Sequence, residues 1–143
     1  MEELYQNFTI LISGIYRNVH RLKDKEMAEF GLKGTHVTCL YFLHVNGEMT
    51  AAELSRLSGE DKAAVSRAVD FLVSSGYVIQ AEGCYRQMLK LTQKGAETAI
   101  RIAQKVEGLV AFIGSGITEQ ERRNFYKALK LFDKRLKVLN NIE

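Results

Sequence analysis

The sequence predicts a mainly α-helical chain carrying one small β-hairpin, on three observations. Amphipathic stripes at three- and four-residue spacing run through both ends of the chain. Two shorter helical segments meet at Ser58-Gly59-Glu60, close enough together to need a tight turn. Residues 77–91 contain two strand-length runs rich in β-formers around a short tip. At 143 residues the chain is one domain by size and long enough to bury a real core. Within it we expect N-terminal helices over 1–47, a central unit over 48–92 and C-terminal helices over 93–143.

From Glu2 to about Glu29, Leu4, Phe8, Leu11, Ile15, Val19 and Leu22 form a sustained helical stripe, widened by Tyr5, Ile12 and Tyr16. A stripe that wide on a terminal helix predicts contact with something beyond its own domain. Gly31-Leu32-Lys33-Gly34 reads as a turn, and Thr35 as the cap of a helix over His36–Val45. That helix is apolar on most sides through Val37, Leu40, Tyr41, Phe42 and Leu43, which predicts a central, buried position. Asn46-Gly47 ends it, and Glu48-Met49 can add a short edge strand.

Thr50 is placed as an N-cap, with Glu53 completing the capping-box spacing. Leu54 and Leu57 give this short helix its buried face. Gly59 can adopt the left-handed conformation that a tight helix end requires, and Asp61 caps the next helix. In that helix Val65, Ala68, Val69 and Leu72 point inward, while Lys62, Ala63, Ser66, Arg67 and Asp70 point outward. Gly76 ends it. Strands over Tyr77–Glu82 and Arg86–Leu91 follow, joined by a tip at Gly83-Cys84-Tyr85. A helix-turn-helix backed by a hairpin is a winged helix, whose second helix can read a major groove. Arg67 can fork onto guanine, Lys62 and Ser66 can reach bases or phosphates, and the Ala63 and Ala64 methyls can pack on thymine. Thr50, Arg56 and Lys90 complete the candidate DNA contacts from the first helix and the wing.

Thr92 reads as the N-cap of a helix from Gln93 to about Phe112, with Ile102, Val106, Leu109 and Ile113 in register. Gly114-Ser115-Gly116 breaks it, and Thr118 with Glu121 forms a second capping box. Phe125, Leu129, Phe132, Leu136 and Leu139 then make a heptad-like seam, with Lys127, Lys130, Lys134 and Lys137 on other faces. A seam at each end of the chain predicts a homodimer built from both ends. The competing expectation is that the two seams pack on each other within one chain.

Taken jointly, Ala52-Glu53-Leu54, Lys62 to Arg67, Leu72, Gly76-Tyr77-Val78 and Leu91-Thr92-Gln93-Lys94-Gly95 resemble the MarR family of bacterial transcriptional regulators. The resemblance runs the length of the chain. It implies double-stranded DNA as partner, a dimer formed by the first and last helices, and a regulator, in the first instance a repressor, on a pseudo-palindromic site. It also implies a small lipophilic or aromatic effector below the DNA-binding lobe, where Tyr16, His20, Tyr41 and His44 could supply ring stacking and hydrogen bonds. Two positions depart from the family pattern. The wing-tip Asp-Arg-Arg motif is replaced by Gly83, Cys84 and Tyr85, leaving Arg86, one position out of register, as the substitute candidate. Ala63-Ala64 stands where the family often has Ser-Thr.

Charge alone argues little for DNA, since 20 basic residues face 17 acidic ones, for a net charge of +3. Residues 50–95 hold six Lys or Arg and five acids, so binding must come from placement of the cations. That balance also sustains an alternative, a winged-helix adaptor that binds protein instead of DNA. Two cysteines supply no disulfide framework, no secretory signal is visible, and Phe8 to Ile12 is too short to span a bilayer, so a cytoplasmic protein with no membrane partner is expected. His36, Cys39 and His44 share a helix, but a small core Cys is the better reading than a metal ligand. There is no nucleophile motif, no phosphate-cradling loop and no metal signature, so neither enzyme activity nor a cofactor is expected.

Overall fold

The computed structural model describes residues 2–81 and 87–142, with side chains described from Gln6 onward. Its elements are α1 (Glu2–Met27), a 3-10 turn (Ala28–Phe30), α2 (Gly34–Asn46), α3 (Ala51–Ser58), α4 (Lys62–Ser74), β1 (Val78–Gln80), β2 (Leu89–Leu91), α5 (Gln93–Ile113) and α6 (Glu119–Leu139). They fall into two compact units, residues 1–104 and 105–143.

In the first unit the core is built where the apolar periodicity put it. Leu40 of α2, Leu54 of α3, Val65 and Leu72 of α4, Val78 of β1, Leu89 of β2 and Ile102 of α5 are all at most 1% exposed. Each such side chain contributes about 1.5–3 kcal/mol relative to an exposed one. The wing is antiparallel, pairing Val78 with Leu91, Ile79 with Lys90 and Gln80 with Leu89. Met49 joins it as the expected edge, exchanging backbone hydrogen bonds of 3.3 and 2.9 Å with Leu89.

The capping signals hold. The Thr50 N–H donates to the Glu53 carboxylate at 2.8 Å, and the Glu53 N–H donates to the Thr50 hydroxyl at 3.2 Å. Gly59 ends α3 at φ +70°, and the Asp61 carboxylate accepts the Ala64 N–H at 3.0 Å to start α4. Thr92 caps α5, accepting the Gly95 N–H at 3.0 Å.

Three details differ. Helix α2 begins at Gly34, with Lys33 and not Thr35 at the cap position, because His36 Nδ1 accepts the Lys33 N–H at 3.1 Å. The inner face of α3 is Leu54 with Ser55; Leu57 is exposed. Ser55 turns inward because its hydroxyl donates to the Glu60 carbonyl at 2.8 Å. The strands are shorter than expected, although an Ala81 N–H to Met88 carbonyl bond of 2.9 Å carries the pairing one step further. The tip residues Gly83, Cys84, Tyr85 and Arg86 lie outside the described residues.

In the second unit, α6 opens on the predicted capping box. The Thr118 N–H donates to the Glu121 carboxylate at 2.7 Å, and this bond holds the Glu121 carboxyl below its usual range. Phe125, Phe132, Leu136 and Leu139 of the seam are exposed on the isolated chain. In the first unit Leu11, Ile15 and Val19 of the α1 stripe are exposed in the same way.

Candidate nucleic-acid interface

Helix α4 presents Lys62, Ala63, Ser66, Arg67 and Asp70 to solvent, while Val65, Ala68, Val69 and Leu72 anchor its other side. Among the described residues Arg56, Lys62 and Arg67 make no ion pair, so their cationic groups are available. Arg56 lies on the last turn of α3 and is exposed. Thr50, half-buried, commits its hydroxyl to the α3 cap. Lys90 of β2 pairs with Glu48 at 3.4 Å, both groups being exposed, a contact that a phosphate can replace at little cost.

Beside α4 is a recess of about 450 Å³ lined by Lys33, Thr35 and His36 at the start of α2 and by Ala64, Arg67 and Phe71 of α4. It extends the basic surface from Arg67 to Lys33, which the sequence places in the turn before α2. Its signal is the helix start itself, visible only once the cap is known to be Lys33.

The floor of this recess is a stacked pair. His36 and Phe71 lie with ring centroids 4.2 Å apart and planes 9° from parallel. Burial, then the neighbouring Lys33 charge, pushes the His36 pKa down. The neutral ring is the one the fold needs, because Nδ1 is already an acceptor. With the folded pKa below the unfolded one, the unfolded chain binds more protons in the interval between them. Stability is therefore complete above about pH 6.5 and declines as the pH falls through that interval. The melting temperature should drop on acidification, and His36→Gln, which keeps an acceptor but does not titrate, should flatten this part of the decline. An equal decline in both proteins would rule His36 out as the source.

The wing is braced from behind. The Thr92 hydroxyl donates to the Gly76 carbonyl at 2.6 Å, and Lys94 donates to the Ser75 carbonyl at 2.8 Å while lying 4.2 Å from the Tyr77 ring centroid. The end of α4 and the start of β1 are thus tied to the first turn of α5.

Of the proposed effector residues, two contact each other and a third contacts a neighbour outside the set. Tyr16 and His20 are in tilted ring contact at 4.4 Å on α1, and Tyr41 meets Phe42 edge-on at 6.0 Å on α2. Tyr16, His20 and His44 are exposed and Tyr41 half-buried. Cys39 is buried at 1% exposure; burial, then the Glu60 carboxylate, pushes its thiol up to about 12. Such a thiol is neither a ready nucleophile nor a ready metal ligand. Among the described residues no group of three or more His, Cys, Asp or Glu could hold a metal ion.

A short helix, a tight turn, an exposed second helix and a braced hairpin define the winged helix-turn-helix class. Within that class, residues 30–83 match the family model of the MarR family. No curated protein matches the sequence. Solved structures share the fold over nearly the whole chain. A MarR family transcriptional regulator from Listeria monocytogenes, solved in complex with 26mer DNA, superposes with a TM-score of 0.79 at 23% identity, covering 92% of this chain and 93% of that one. A MarR family regulator from Neisseria meningitidis gives 0.81 at 19% identity over 99% and 98%. A MarR transcriptional regulator from Methanosarcina mazei gives 0.76 at 22% over 93% and 92%. No helix among the described residues is long and apolar enough to cross a membrane.

Proposed function

We propose that this chain is a DNA-binding transcriptional regulator, a repressor in its simplest form, acting as a homodimer on a pseudo-palindromic duplex site. The observation that carries the reading is the outer face of α4. Lys62, Ser66 and Arg67 stand exposed there, and the described residues leave both cations unpaired. Ala63 and Ala64 add methyl surface for thymine, and Arg56, Lys90 and Thr50 are the proposed backbone contacts, with Arg86 from the wing tip. The shared fold with a Listeria monocytogenes protein solved on DNA supports the same use here.

Dimerisation draws support from the apolar residues left exposed on both terminal elements. On α1 they include Ile10, Leu11, Ile15 and Val19; on α6 they include Phe125, Leu136 and Leu139. Two copies would present two α4 helices about one helical turn of DNA apart. An effector of lipophilic aromatic character near Tyr16, His20, Tyr41 and His44 would act only by binding two spacings of the lobes unequally.

The near balance of charge in residues 50–95 favours one competitor, an adaptor that binds protein through the same surface. Selection of duplexes from a random-sequence pool, followed by binding at several salt concentrations, separates the two. A regulator should enrich a two-fold symmetric site and lose affinity steeply with salt, with a log–log slope of about −0.9 per phosphate neutralised. Failure to enrich any duplex at any salt, or a stable monomer in sedimentation, would defeat the regulator reading.

A further inference from the structure

A polar cluster ties α1 to the turn that precedes α4. Lys23 Nζ donates to the Thr38 hydroxyl and forms an ion pair with Glu60 Oε1 at 3.3 Å. The Thr38 hydroxyl lies 3.4 Å from the same carboxylate oxygen and 3.0 Å from the Gly34 carbonyl. Glu60 is gripped along its backbone as well: its carbonyl accepts the Ser55 hydroxyl at 2.8 Å, and its N–H donates to the Ser58 hydroxyl at 3.2 Å. The next residue is Asp61, the cap of α4. The Lys23 and Glu60 side chains are only 25% and 21% exposed.

A pair this far from water recovers little net stability, because desolvating two charges offsets their attraction. What it does supply is a fixed separation between the groups it joins. Here those groups are the helix that carries the exposed apolar stripe and the residue from which α4 starts. On the reading above, the stripe sets where the partner copy sits, and the start of α4 sets where the groove is entered. The only charged link between them within one protomer, among the described residues, is Lys23 with Glu60.

The geometry points to Lys23 as a positioning residue: through Thr38 and Glu60 it fixes the start of α4 to the dimerisation helix, and so sets which half-site spacing the dimer accepts. This inference rests on the regulator reading. It does not involve Lys23 touching DNA.

Adding or removing one base pair between half-sites shifts them by about 3.4 Å and turns them by about 35°. The wild-type protein should lose about tenfold or more in affinity on such duplexes, comparable to one mismatched base pair. The probes are the duplex the wild-type protein selects and its versions with one base pair added or removed at the centre. With Lys23→Met the ratio between the native and altered spacings should shrink by roughly fivefold or more, the lower end of ordinary coupling between sites. Its salt slope and its dimer in sedimentation should match the wild type, and Lys23→Arg should restore the discrimination. An equal loss on all three spacings, or an unchanged ratio, overturns the inference while leaving the regulator reading intact. Should Lys23→Met fail to fold, Glu60→Gln carries the same test, because it removes the charge and retains hydrogen bonding. A wild-type protein that selects no duplex overturns both.

Discussion

Arg67→Ala should weaken binding to the selected duplex by about 1–3 kcal/mol, with the loss concentrated at one base position in each half-site. Arg67 stands in the second turn of α4, exposed, with Ala68 and Val69 beside it buried in the core. That anchoring fixes the direction in which the guanidinium leaves the helix. Because the described residues give Arg67 no ion-pair partner, its removal strands no opposite charge, and stability should change by less than about 0.5 kcal/mol. Lys90→Ala is the contrast. Lys90 already has Glu48 at 3.4 Å, so its contribution should be smaller, uniform across sequences and sensitive to salt. A uniform loss for Arg67→Ala would make it another backbone contact, and no loss would remove it from the interface.

Signals confined to a few residues were legible in the sequence. The Thr50–Glu53 and Thr118–Glu121 boxes, the Gly59 stop and the Asp61 cap each depend on neighbours within one turn of helix, and each forms. The inward face of α4 was legible for the same reason, since its period is set by the helix alone. Readings that required knowing what lies opposite were less secure. Leu57 has the apolar character of a core residue, but Ser55 takes the inner face through a hydrogen bond to Glu60, five residues away and around the turn. Thr35 is the better intrinsic cap, yet His36 supplies an acceptor and starts the helix two residues earlier than a Thr35 cap would allow. Lys23 and Glu60 are 37 residues apart, and no local pattern marks them as partners. The candidate DNA face was therefore readable from α4, whereas the recess reaching to Lys33 and the clamp behind the turn were not.

Gly95→Ala should destabilise the protein strongly, by about 3 kcal/mol or more, although the same exchange ordinarily stabilises a helix. In an unobstructed helix interior alanine is favoured over glycine by about 1 kcal/mol. At Gly95 an added Cβ would lie 1.9 Å from the Tyr77 carbonyl oxygen and 2.9 Å from its carbon, with Leu91 Cδ2 at 3.3 Å. Two of these atoms are backbone and cannot rotate away. The Tyr77 carbonyl is also held from the other side by the Thr92 N–H at 3.0 Å, while Thr92 itself holds the Gly76 carbonyl. Relief of the overlap would have to separate α5 from the first residue of the wing. Overpacking of this kind costs about 1–3 kcal/mol where side chains can shift, and more where only backbone can. For a domain of this size a loss of about 3 kcal/mol lowers the melting temperature by roughly 10 °C or more. Gly108, on the same helix, is the control: nothing lies within 4 Å of its added Cβ. Gly108→Ala should leave stability unchanged or raise it by up to about 1 kcal/mol. If both variants melt together, helix propensity governs α5 and the close approach at Tyr77 does not. If only Gly95→Ala falls, glycine is required there because the root of the wing and α5 approach within van der Waals contact.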